Sequence, residues 1–571
     1  MQQNLRQNPE PPGTRNPGNF RKPRNCRNSR NRDRRKPECR VTSRVVARPP
    51  ASGALQPSTD RELVERYLQD AAHFPGGRAA GVFRPRTIDE LSSCLRSPRR
   101  TLVVGAQSSL TGGATPAGDV VIATELLDSM GIEGDRIRVG AGVPLQIVQE
   151  RLFTLGRWFP PAPTYLGAFA GGAVATCAAG AATFKYGTVR DWVEGLTVVL
   201  AGGDVIDLAR GRHAASPQGT FEIDTAAGIR TIQLPPLKMP DVPKCAAGYF
   251  VQPGMDLIDL FIGSEGTLGA IADVVFKTAP LPGGLCRAYV PVANESAAIA
   301  LVSELREAAM ATWRTRDPNG IDIASIEHID ARSIQIVRED GIDRKLDITL
   351  PLGSAIVLLI DLELPAAVAA GDLWRAIETA LDGDAADSPL MRVCRLLARH
   401  GAMNDAEITL PGDRARAAAF AELREAVPAG VNRRVAQAKQ RDQAISKTAA
   451  DMIVRYERFG EMMAACRRLF AERDLDLAVW GHISDGNVHP NVIPRSAADV
   501  DKGRDAILAL GAEVVAMGGS PLAEHGVGRS PIKQQLLTRL YGATSVEAMR
   551  ALKLSLDPHG SLASGVIFPP Q

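Results

Sequence analysis

The stretch VGAQSSLTGG, residues 104–113, follows an apolar run at residues 101–104 and sets small and hydroxylated residues directly after a predicted strand. Glycine permits positive φ and lets backbone N–H groups approach an anion, and Ser and Thr add donors without bulk. Two further segments have the same character, GGAVATCAAG at residues 171–180 and GSEGTLG at residues 263–269. One such loop could equally be a turn packed with small residues, but the three together predict a nucleotide-phosphate site.

The spacing of these glycines excludes two common nucleotide-binding classes. No GxGxxG follows the first strand, and no GxxxxGK[ST] occurs in the chain. We therefore expect neither a Rossmann nor a P-loop site.

Around these segments, short apolar runs alternate with helical periods. For the first half we predict a hairpin at residues 195–208, an irregular loop or insertion at 210–250, strands at 101–104, 120–124, 137–139 and 269–277, and helices at 144–155 and 256–262. For the second half we predict strands at 288–292, 321–328, 355–364, 477–480 and 487–493, and helices at 295–310, 366–381, 413–426, 459–473 and 497–517. Pro291 places the strand at 288–292 at a sheet edge. The order predicts an α+β sheet with helices on one face.

Length and charge limit the class of protein. A chain of 571 residues exceeds one hydrophobic core, so we expect two or three domains. The net charge of +3 is uneven, because residues 1–48 hold fourteen Lys or Arg and three acids. The remainder is therefore net acidic, which argues against a nucleic-acid-binding body.

The N-terminal segment and the cysteines bear on location. Residues 1–52 are rich in Asn, Arg and Pro and lack an apolar period, which predicts a disordered basic leader, a targeting peptide or untranslated sequence. The uncharged stretch at 158–184 is long enough for a membrane span, but its Pro, Gly and Ala content argues against one. Eight Cys without a CxxC pair indicate reduced thiols and a cytoplasmic location. Peripheral association with the inner membrane stays open.

A second group of motifs lies in the C-terminal half. The stretch WGHISDGNVHPN, residues 480–491, holds two histidines around an Asp-Gly turn, and AEHGVG follows at 523–528. His482 and His489 could converge across a hairpin with Glu524 as a third ligand, a donor set suited to Zn, Mn or Fe. His525 would then be free to act as a base. For any one of these histidines alone, a hydrogen-bonded structural role is the alternative.

The Gly-rich segments, with VGAGV at 139–143 and PPAP at 160–163, resemble the FAD-binding domain of the vanillyl-alcohol-oxidase and p-cresol-methylhydroxylase type. The resemblance runs from about residue 83 to residue 280 and implies a two-lobed domain that binds FAD. Some relatives attach FAD covalently through a His in the first loop, whereas this loop has Gln107, Ser108 and Ser109 and no His, so we expect non-covalent FAD. The implied cofactor-binding residues are Gly105, Ala106, Gln107, Ser108, Ser109, Leu110, Pro163, Gly171, Gly172, Thr176, Gly180, Gly187, Glu265 and Gly266.

The histidine motifs resemble the C-terminal substrate domain of FAD-linked D-2-hydroxy-acid dehydrogenases. That group includes D-lactate dehydrogenase, the flavin subunit of glycolate oxidase and D-2-hydroxyglutarate dehydrogenase. The resemblance implies that His482, His489 and Glu524 bind a divalent metal and that His525 is the catalytic base. It further implies substrate-binding roles for three residues, which are Arg424, Lys447 and Asn491.

From these motifs we predict a FAD-binding domain at 60–282, an α+β substrate domain with a ferredoxin-like sheet at 283–540, and a segment at 541–571 that returns to the first domain. The predicted reaction is oxidation of a D-2-hydroxy acid to the 2-oxo acid by hydride transfer to flavin N5. Two alternatives are a non-redox flavin transferase resembling alkyl-dihydroxyacetone-phosphate synthase and an electron-relay flavin subunit. The electron acceptor stays open between quinone, cytochrome and oxygen, as does assembly into homodimers or with electron-transfer subunits. The segment at 244–249, KCAAGY, matches the family only in part, and the family's Asn-Pro-Gly-Lys near the C-terminus is absent.

Overall fold

The computed structural model describes residues 41–365 and 387–570. The predicted helix at 366–381 and most of the predicted leader lie outside these ranges. No helix within them combines the length and the apolar character needed to cross a membrane.

The N-terminal half is built on two main sheets. Its strands are β1 Arg44–Val46, β2 Arg78–Phe83, β3 Thr101–Val104, β4 Ala117–Ala123, β5 Met130–Glu133, β6 Arg136–Gly140, β7 Arg157–Trp158, β8 Val193–Val199, β9 Val205–Ala209, β10 Thr220–Thr225, β11 Gly228–Gln233, β12 Ala270–Lys277 and β13 Ala279–Pro280. Its helices are α1 Arg61–Glu65, α2 Ile88–Leu95, α3 Leu145–Phe153, α4 Ala170–Ala175, α5 Thr183–Tyr186 and α6 Ile258–Phe261. A parallel sheet has the order β2-β4-β3, and an antiparallel sheet has the order β5-β6-β12-β8-β9.

The C-terminal half is built on one sheet of eight strands. The strands are β14 Gly284–Val292, β15 Ile323–Asp330, β16 Ile356–Leu364, β17 Glu407–Thr409, β18 Thr448–Ala449, β19 Met452–Ile453, β20 Leu477–His482 and β21 Asn487–Val492. The helices are α7 Glu295–Thr315, α8 Ala331–Glu339, α9 Ile342–Lys345, α10 Pro389–Arg399, α11 Arg414–Arg441, α12 Phe459–Ala471, α13 Ala497–Ala516, α14 Pro531–Tyr541 and α15 Ala543–Leu556. The sheet has the order β17-β14-β16-β15-β20-β21-β18, and β19 also pairs with β21.

The helices cover both faces of this sheet, so the prediction that they lie on one face is wrong. Strand β16 reads IVLLIDLEL and is buried along nearly its whole length. Its Leu358 and Ile360 pack in the core that includes α7 and α10, whereas Val357 and Leu359 pack against α8 and α11. A near-continuous apolar run is typical of a strand buried on both faces.

Helix α11 extends beyond the predicted end at residue 426 and passes through Pro428. A proline inside a helix removes one backbone hydrogen bond and usually breaks or kinks it. Here Phe420, Leu423 and Val431 on the same helix are buried in one core cluster. This continuous packing along both sides of the proline offsets the local loss.

The region at 210–250, predicted as an irregular loop, contains the antiparallel hairpin of β10 and β11. Alternate residues of the hairpin point inward, and Phe221, Ile223 and Ile232 are fully buried. Strand β1 pairs with β10 in parallel and buries Val45. The predicted disorder of residues 1–52 is therefore wrong for this part, because β1 completes the edge of the hairpin.

The last residues of the described chain contact the N-terminal half. The backbone N–H of Thr101 donates to Ser561 O at 2.8 Å, and the N–H of Ala563 donates to Thr101 O at 2.8 Å. The buried Lys553 ammonium donates to Thr267 O and forms an ion pair with Asp557. These contacts hold the residues after α15 beside β3.

Candidate active site

A cavity of about 1400 Å³ connects the Gly-rich loops to the C-terminal sheet. The loop after β3 and the start of α4 form one part of its wall. The other part comes from β15, α11, β21, α14 and the loop at 523–526. Most of the site residues predicted from sequence line this one cavity, although they are spread over more than four hundred positions of the chain.

The predicted cofactor residues fall into two groups in the structure. Those that line the cavity are Gly105, Ala106, Gln107, Ser108, Ser109, Leu110, Pro163, Gly171, Gly172, Thr176, Glu265 and Gly266. Two others, Gly180 and Gly187, are not part of the wall. A Cβ on Gly180 would lie 2.6 Å from Ala162 O, and Gly187 has φ +72° at the end of α5. These two glycines therefore serve close packing and a helix end.

The space beside the first two loops is open and shaped by the backbone. Gln107 has φ +52°, an uncommon value for a non-glycine residue, which turns the chain directly after β3. A Cβ on Gly172 would meet no protein atom within 4 Å, whereas one on Gly171 would lie 2.6 Å from Ala141 Cβ. Gly172 therefore leaves room in the cavity, and Gly171 lets α4 pack closely on Ala141.

Glu265 joins the third Gly-rich segment to the histidine motif. Its carboxylate accepts hydrogen bonds from Val527 N and Gly528 N, each at 2.8 Å. Burial raises the pKa of Glu265 to about 7, although these two backbone donors act in the opposite direction. The residue has φ +52°, and a Cβ on Gly526 would lie 3.0 Å from its carboxyl group. The two segments are thus in direct contact.

His482, His489 and Glu524 converge as the sequence predicted. One ligand atom from each lies within 4.8 Å of the other two. Glu524 Oε1 is 3.2 Å from His489 Nε2 and 3.6 Å from His482 Nε2. Strands β20 and β21 bring the histidines together because Trp480 pairs with His489 and Gly481 with Val488 across the hairpin.

Two acids that sequence analysis did not identify orient the histidines. His482 Nδ1 donates to Glu327 Oε1 at 2.9 Å, and His489 Nδ1 lies 3.5 Å from Asp451 Oδ1. Asp451 also accepts from the backbone N–H groups of Glu524 and His525, at 2.8 and 2.9 Å. Both Nε2 atoms therefore face Glu524, while the two Nδ1 atoms face Glu327 and Asp451.

Carboxylates and cations alternate around the two histidines, with Glu327 beside Arg424 and Glu524 beside Lys244. Burial opposes protonation of His482, but Glu327 overcomes it and raises its pKa to about 9. Burial also favours a neutral Glu524, yet Lys244 and His482 hold its pKa well below the usual range. The position between the Glu524 carboxylate and the two imidazoles therefore favours positive charge.

His525 lies at the edge of the same cluster and reaches the cavity. Its side chain is 27% exposed, with Nε2 3.5 Å from Glu524 Oε1 and Nδ1 3.4 Å from Asp451 Oδ2. Burial lowers its pKa to about 4, outweighing the attraction of Asp451 and Glu524. A neutral imidazole is able to accept a proton.

The three predicted substrate residues also line the cavity. Arg424 Nε lies 3.4 Å from Glu327 Oε2, and Asn491 Nδ2 donates to His489 O at 3.0 Å. Asn491 Oδ1 is buried and has no hydrogen-bond partner among the described residues. Lys447 is exposed to the cavity, and desolvation by the surrounding protein lowers its pKa.

Two lysines near the cluster, the buried Lys244 and the half-buried Lys533, were missed as site residues. Lys244 Nζ lies 2.9 Å from Glu524 Oε2, and the Lys533 side chain on α14 lines the cavity. Lys533 has its pKa lowered by burial, against the pull of Asp451, Glu265 and Glu524. For Lys244, the partial match of residues 244–249 to the family was the available signal in the sequence. For Lys533 the sequence offered no signal, because a basic residue on an amphipathic helix is ordinary.

Two protein-family models match the chain. The FAD binding domain matches residues 79–209, and the C-terminal domain of FAD linked oxidases matches residues 292–567. The fold and the cavity thus define a two-domain FAD-linked oxidoreductase. The chain is an enzyme of the FAD-linked oxidase family, as its motifs predicted.

Curated relatives match over almost the whole chain at low identity. The glycolate oxidase subunit GlcD of Bacillus subtilis is 26% identical over 513 residues, covering 88% of this chain and 92% of that protein. D-2-hydroxyglutarate dehydrogenase of Xanthomonas citri is 25% identical over 544 residues, covering 92% and 97%. D-lactate dehydrogenase of Archaeoglobus fulgidus is 24% identical over 495 residues, covering 85% and 90%.

A solved structure has the same overall fold. An alkyldihydroxyacetonephosphate synthase aligns with a TM-score of 0.55 over 89% of this chain and 82% of its own, at 13% identity. At that identity the likeness concerns the fold alone.

Proposed function

We propose that this enzyme oxidises a D-2-hydroxy acid to the 2-oxo acid, with non-covalent FAD as the hydride acceptor. The observation that carries the proposal is one cavity that joins the Gly-rich loops to the cluster of His489, Glu524 and His525. The relatives named for glycolate, D-lactate and D-2-hydroxyglutarate support this substrate class.

FAD fits the N-terminal part of the cavity. The loop at 105–110 offers backbone N–H groups and two serines, and the open space beside Gly172 admits a ligand close to the backbone. When bound, FAD supplies the two-electron chemistry that the protein lacks. Loop 105–113 has no histidine for covalent attachment. His73 lines the same wall of the cavity, and it is the alternative to consider if the cofactor is attached covalently.

A divalent metal fits the donor set of His482, His489 and Glu524. Two imidazole nitrogens and one carboxylate oxygen suit Zn, Mn or Fe with positions left open. The hydrogen bond from His482 Nδ1 to Glu327 leaves Nε2 directed at the site, which is the usual arrangement around metal-binding histidines. A bound ion would supply Lewis acidity toward the hydroxyl and carboxylate oxygens of the substrate.

The remaining steps follow from the side chains in the cavity. Arg424 and Lys447 bind the substrate carboxylate, and Arg424 can do so through two N–H groups. Asn491 offers its free amide oxygen to a substrate hydroxyl. His525 Nε2 would accept the proton of the substrate hydroxyl, and its low pKa keeps the imidazole unprotonated near pH 7. FAD, when bound, would supply the hydride acceptor.

An anaerobic panel of hydroxy acids tests this function. The purified enzyme is mixed with glycolate and with the D- and L-forms of lactate and 2-hydroxyglutarate, and flavin absorbance is followed. Bleaching by D-acids, with the L-acids as matched controls, is expected. No bleaching by any acid would contradict a dehydrogenase and favour a non-redox transferase or an electron-relay subunit.

The metal is tested separately. Elemental analysis of the wild type should find a divalent ion near one per chain, and His489→Ala should lose it. His400, which pairs with Glu304 outside the cavity wall, provides the matched control His400→Ala. A wild type that is fully active without metal would assign the three residues to structural roles or to direct substrate binding.

A further inference from the structure

A buried lysine, Lys244, contacts the Glu524 carboxylate on the side away from the histidines. Lys244 lies between β11 and α6 and is only 2% exposed. Its Nζ is 2.9 Å from Glu524 Oε2 and 2.9 Å from Asp485 Oδ2. The residue is not part of the cavity wall, so it does not touch a ligand bound there.

The two oxygens of Glu524 face different partners. Oε1 lies 3.2 to 3.6 Å from the Nε2 atoms of His489, His525 and His482. Oε2 faces Lys244 instead. The ammonium group thereby fixes the rotation of the carboxylate and directs one oxygen toward the histidines.

Lys244 also connects the two segments that carry the ligands. Asp485 lies in the turn between β20, which ends at His482, and β21, which contains His489. Glu524 lies in a separate loop nearly forty residues later. One ammonium group contacting both carboxylates sets the distance between these segments.

The lysine is itself held in place by its own backbone segment. Ala246 N donates to Leu522 O at 3.0 Å, and Cys245 Sγ lies within hydrogen-bond distance, 3.5 Å, of Ser520 Oγ. A buried ammonium group is costly unless it is paired, and here two carboxylates compensate it. The neighbouring backbone contacts keep Lys244 beside the loop that carries Glu524.

We infer that Lys244 is a positioning residue for the metal site: it orients Glu524 and fixes the Glu524 loop against the β20–β21 turn. This inference rests on the metal site of the proposed function. Partners that orient metal ligands commonly change metal affinity by about 10–100-fold when removed. We therefore expect Lys244→Met to weaken metal binding by about that factor while FAD content is retained.

The test measures metal affinity rather than turnover. FAD-loaded wild type and Lys244→Met are stripped with a chelator and titrated with Zn²⁺ and Mn²⁺ against a chromophoric competitor. Lys553→Met is the matched control, because Lys553 is also buried and paired with an aspartate but lies outside the cavity wall. That control should lower Tm and leave metal affinity within about twofold of the wild type.

A second variant covers the case in which Lys244→Met fails to fold. Asp485→Asn keeps the side-chain size and leaves Glu524 and Lys244 in place, so a weakening of about threefold or more is expected. If the wild type binds metal and the folded variants bind it equally well, the role of Lys244 is refuted. If the wild type binds no metal at all, the proposed metal site fails instead.

Discussion

Replacing His525 with alanine removes an imidazole that lies beside Glu524 and lines the cavity. Its Nε2 lies 3.5 Å from Glu524 Oε1, and its Nδ1 lies 3.4 Å from Asp451 Oδ2. Asp451 therefore orients the ring from the Nδ1 side, while Nε2 lies on the side of Glu524. No residue of the Gly-rich loops is changed, so FAD binding should persist.

The expected loss follows from the role of a general base. Such a group is worth about 10²–10⁴-fold in rate, which corresponds to about 3–5 kcal/mol. We expect His525→Ala to slow flavin reduction by at least about a hundredfold.

Anaerobic stopped-flow measurement of flavin bleaching under a saturating D-acid isolates this step from the electron acceptor. His400→Ala is the matched control, since His400 also pairs with a glutamate but lies outside the cavity wall. The control should reduce its flavin at the wild-type rate. A His525→Ala enzyme that does the same would refute the base assignment, and the proton would then leave through solvent or another side chain.

Three further outcomes are expected. Acid precipitation should release yellow flavin into the supernatant, and flavin kept in the pellet by the wild type but not by His73→Ala would instead show attachment at His73. Chains that start at residue 41 and at residue 53 should differ in Tm by a few degrees, because the shorter one loses β1 and the buried Val45; equal values would make β1 dispensable. The free energy of unfolding should fall as pH rises from about 5 to 7, because burial raises the pKa of Glu265 to about 7 and the folded protein retains a proton that the unfolded chain has lost. Glu265→Gln should remove that part of the pH dependence, as measured by denaturant unfolding at several pH values; an unchanged slope would contradict the shift.

The predicted site residues that the structure brings together depend on local signals. The loop after Val104 follows a short apolar strand, and the two histidines flank an Asp-Gly turn between two apolar runs. A strand, a turn and a second strand are adjacent in the chain, so their pairing brings His482 and His489 together without long-range information. The same reasoning placed Glu524 and His525 in one loop.

The residues that orient the ligands could not be found in this way. Glu327 reaches His482 because β15 pairs with β20, and the register sets Glu327 opposite His482. These residues are separated by 155 positions, and strand order in a sheet is not encoded in either strand alone. Asp451 and Lys244 lie in short or irregular segments, where an isolated charge usually indicates solvent exposure.

The errors in the fold have a related cause. The hairpin of β10 and β11 was read as a loop because Pro and Gly residues surround it, although Phe221, Ile223 and Ile232 alternate with polar positions. Strand β1 pairs with it from a segment whose composition predicts disorder. In both places the pairing partner supplies stability that propensity does not reveal.

A hydride and a proton leave neighbouring atoms of a 2-hydroxy acid, so their acceptors must be held within one substrate length. For the proposed reaction, backbone contacts between the two halves would meet this requirement. Gly528 has φ +58°, and a Cβ there would lie 2.2 Å from Thr111 Oγ1 in the first Gly-rich loop. Glu265, in the third Gly-rich segment, accepts hydrogen bonds from Val527 N and Gly528 N. Its backbone has an uncommon conformation that costs about 1–3 kcal/mol. The loop that carries His525 is therefore fixed directly to the loops that surround the flavin site, and a glycine is required at 528 because any side chain would separate them.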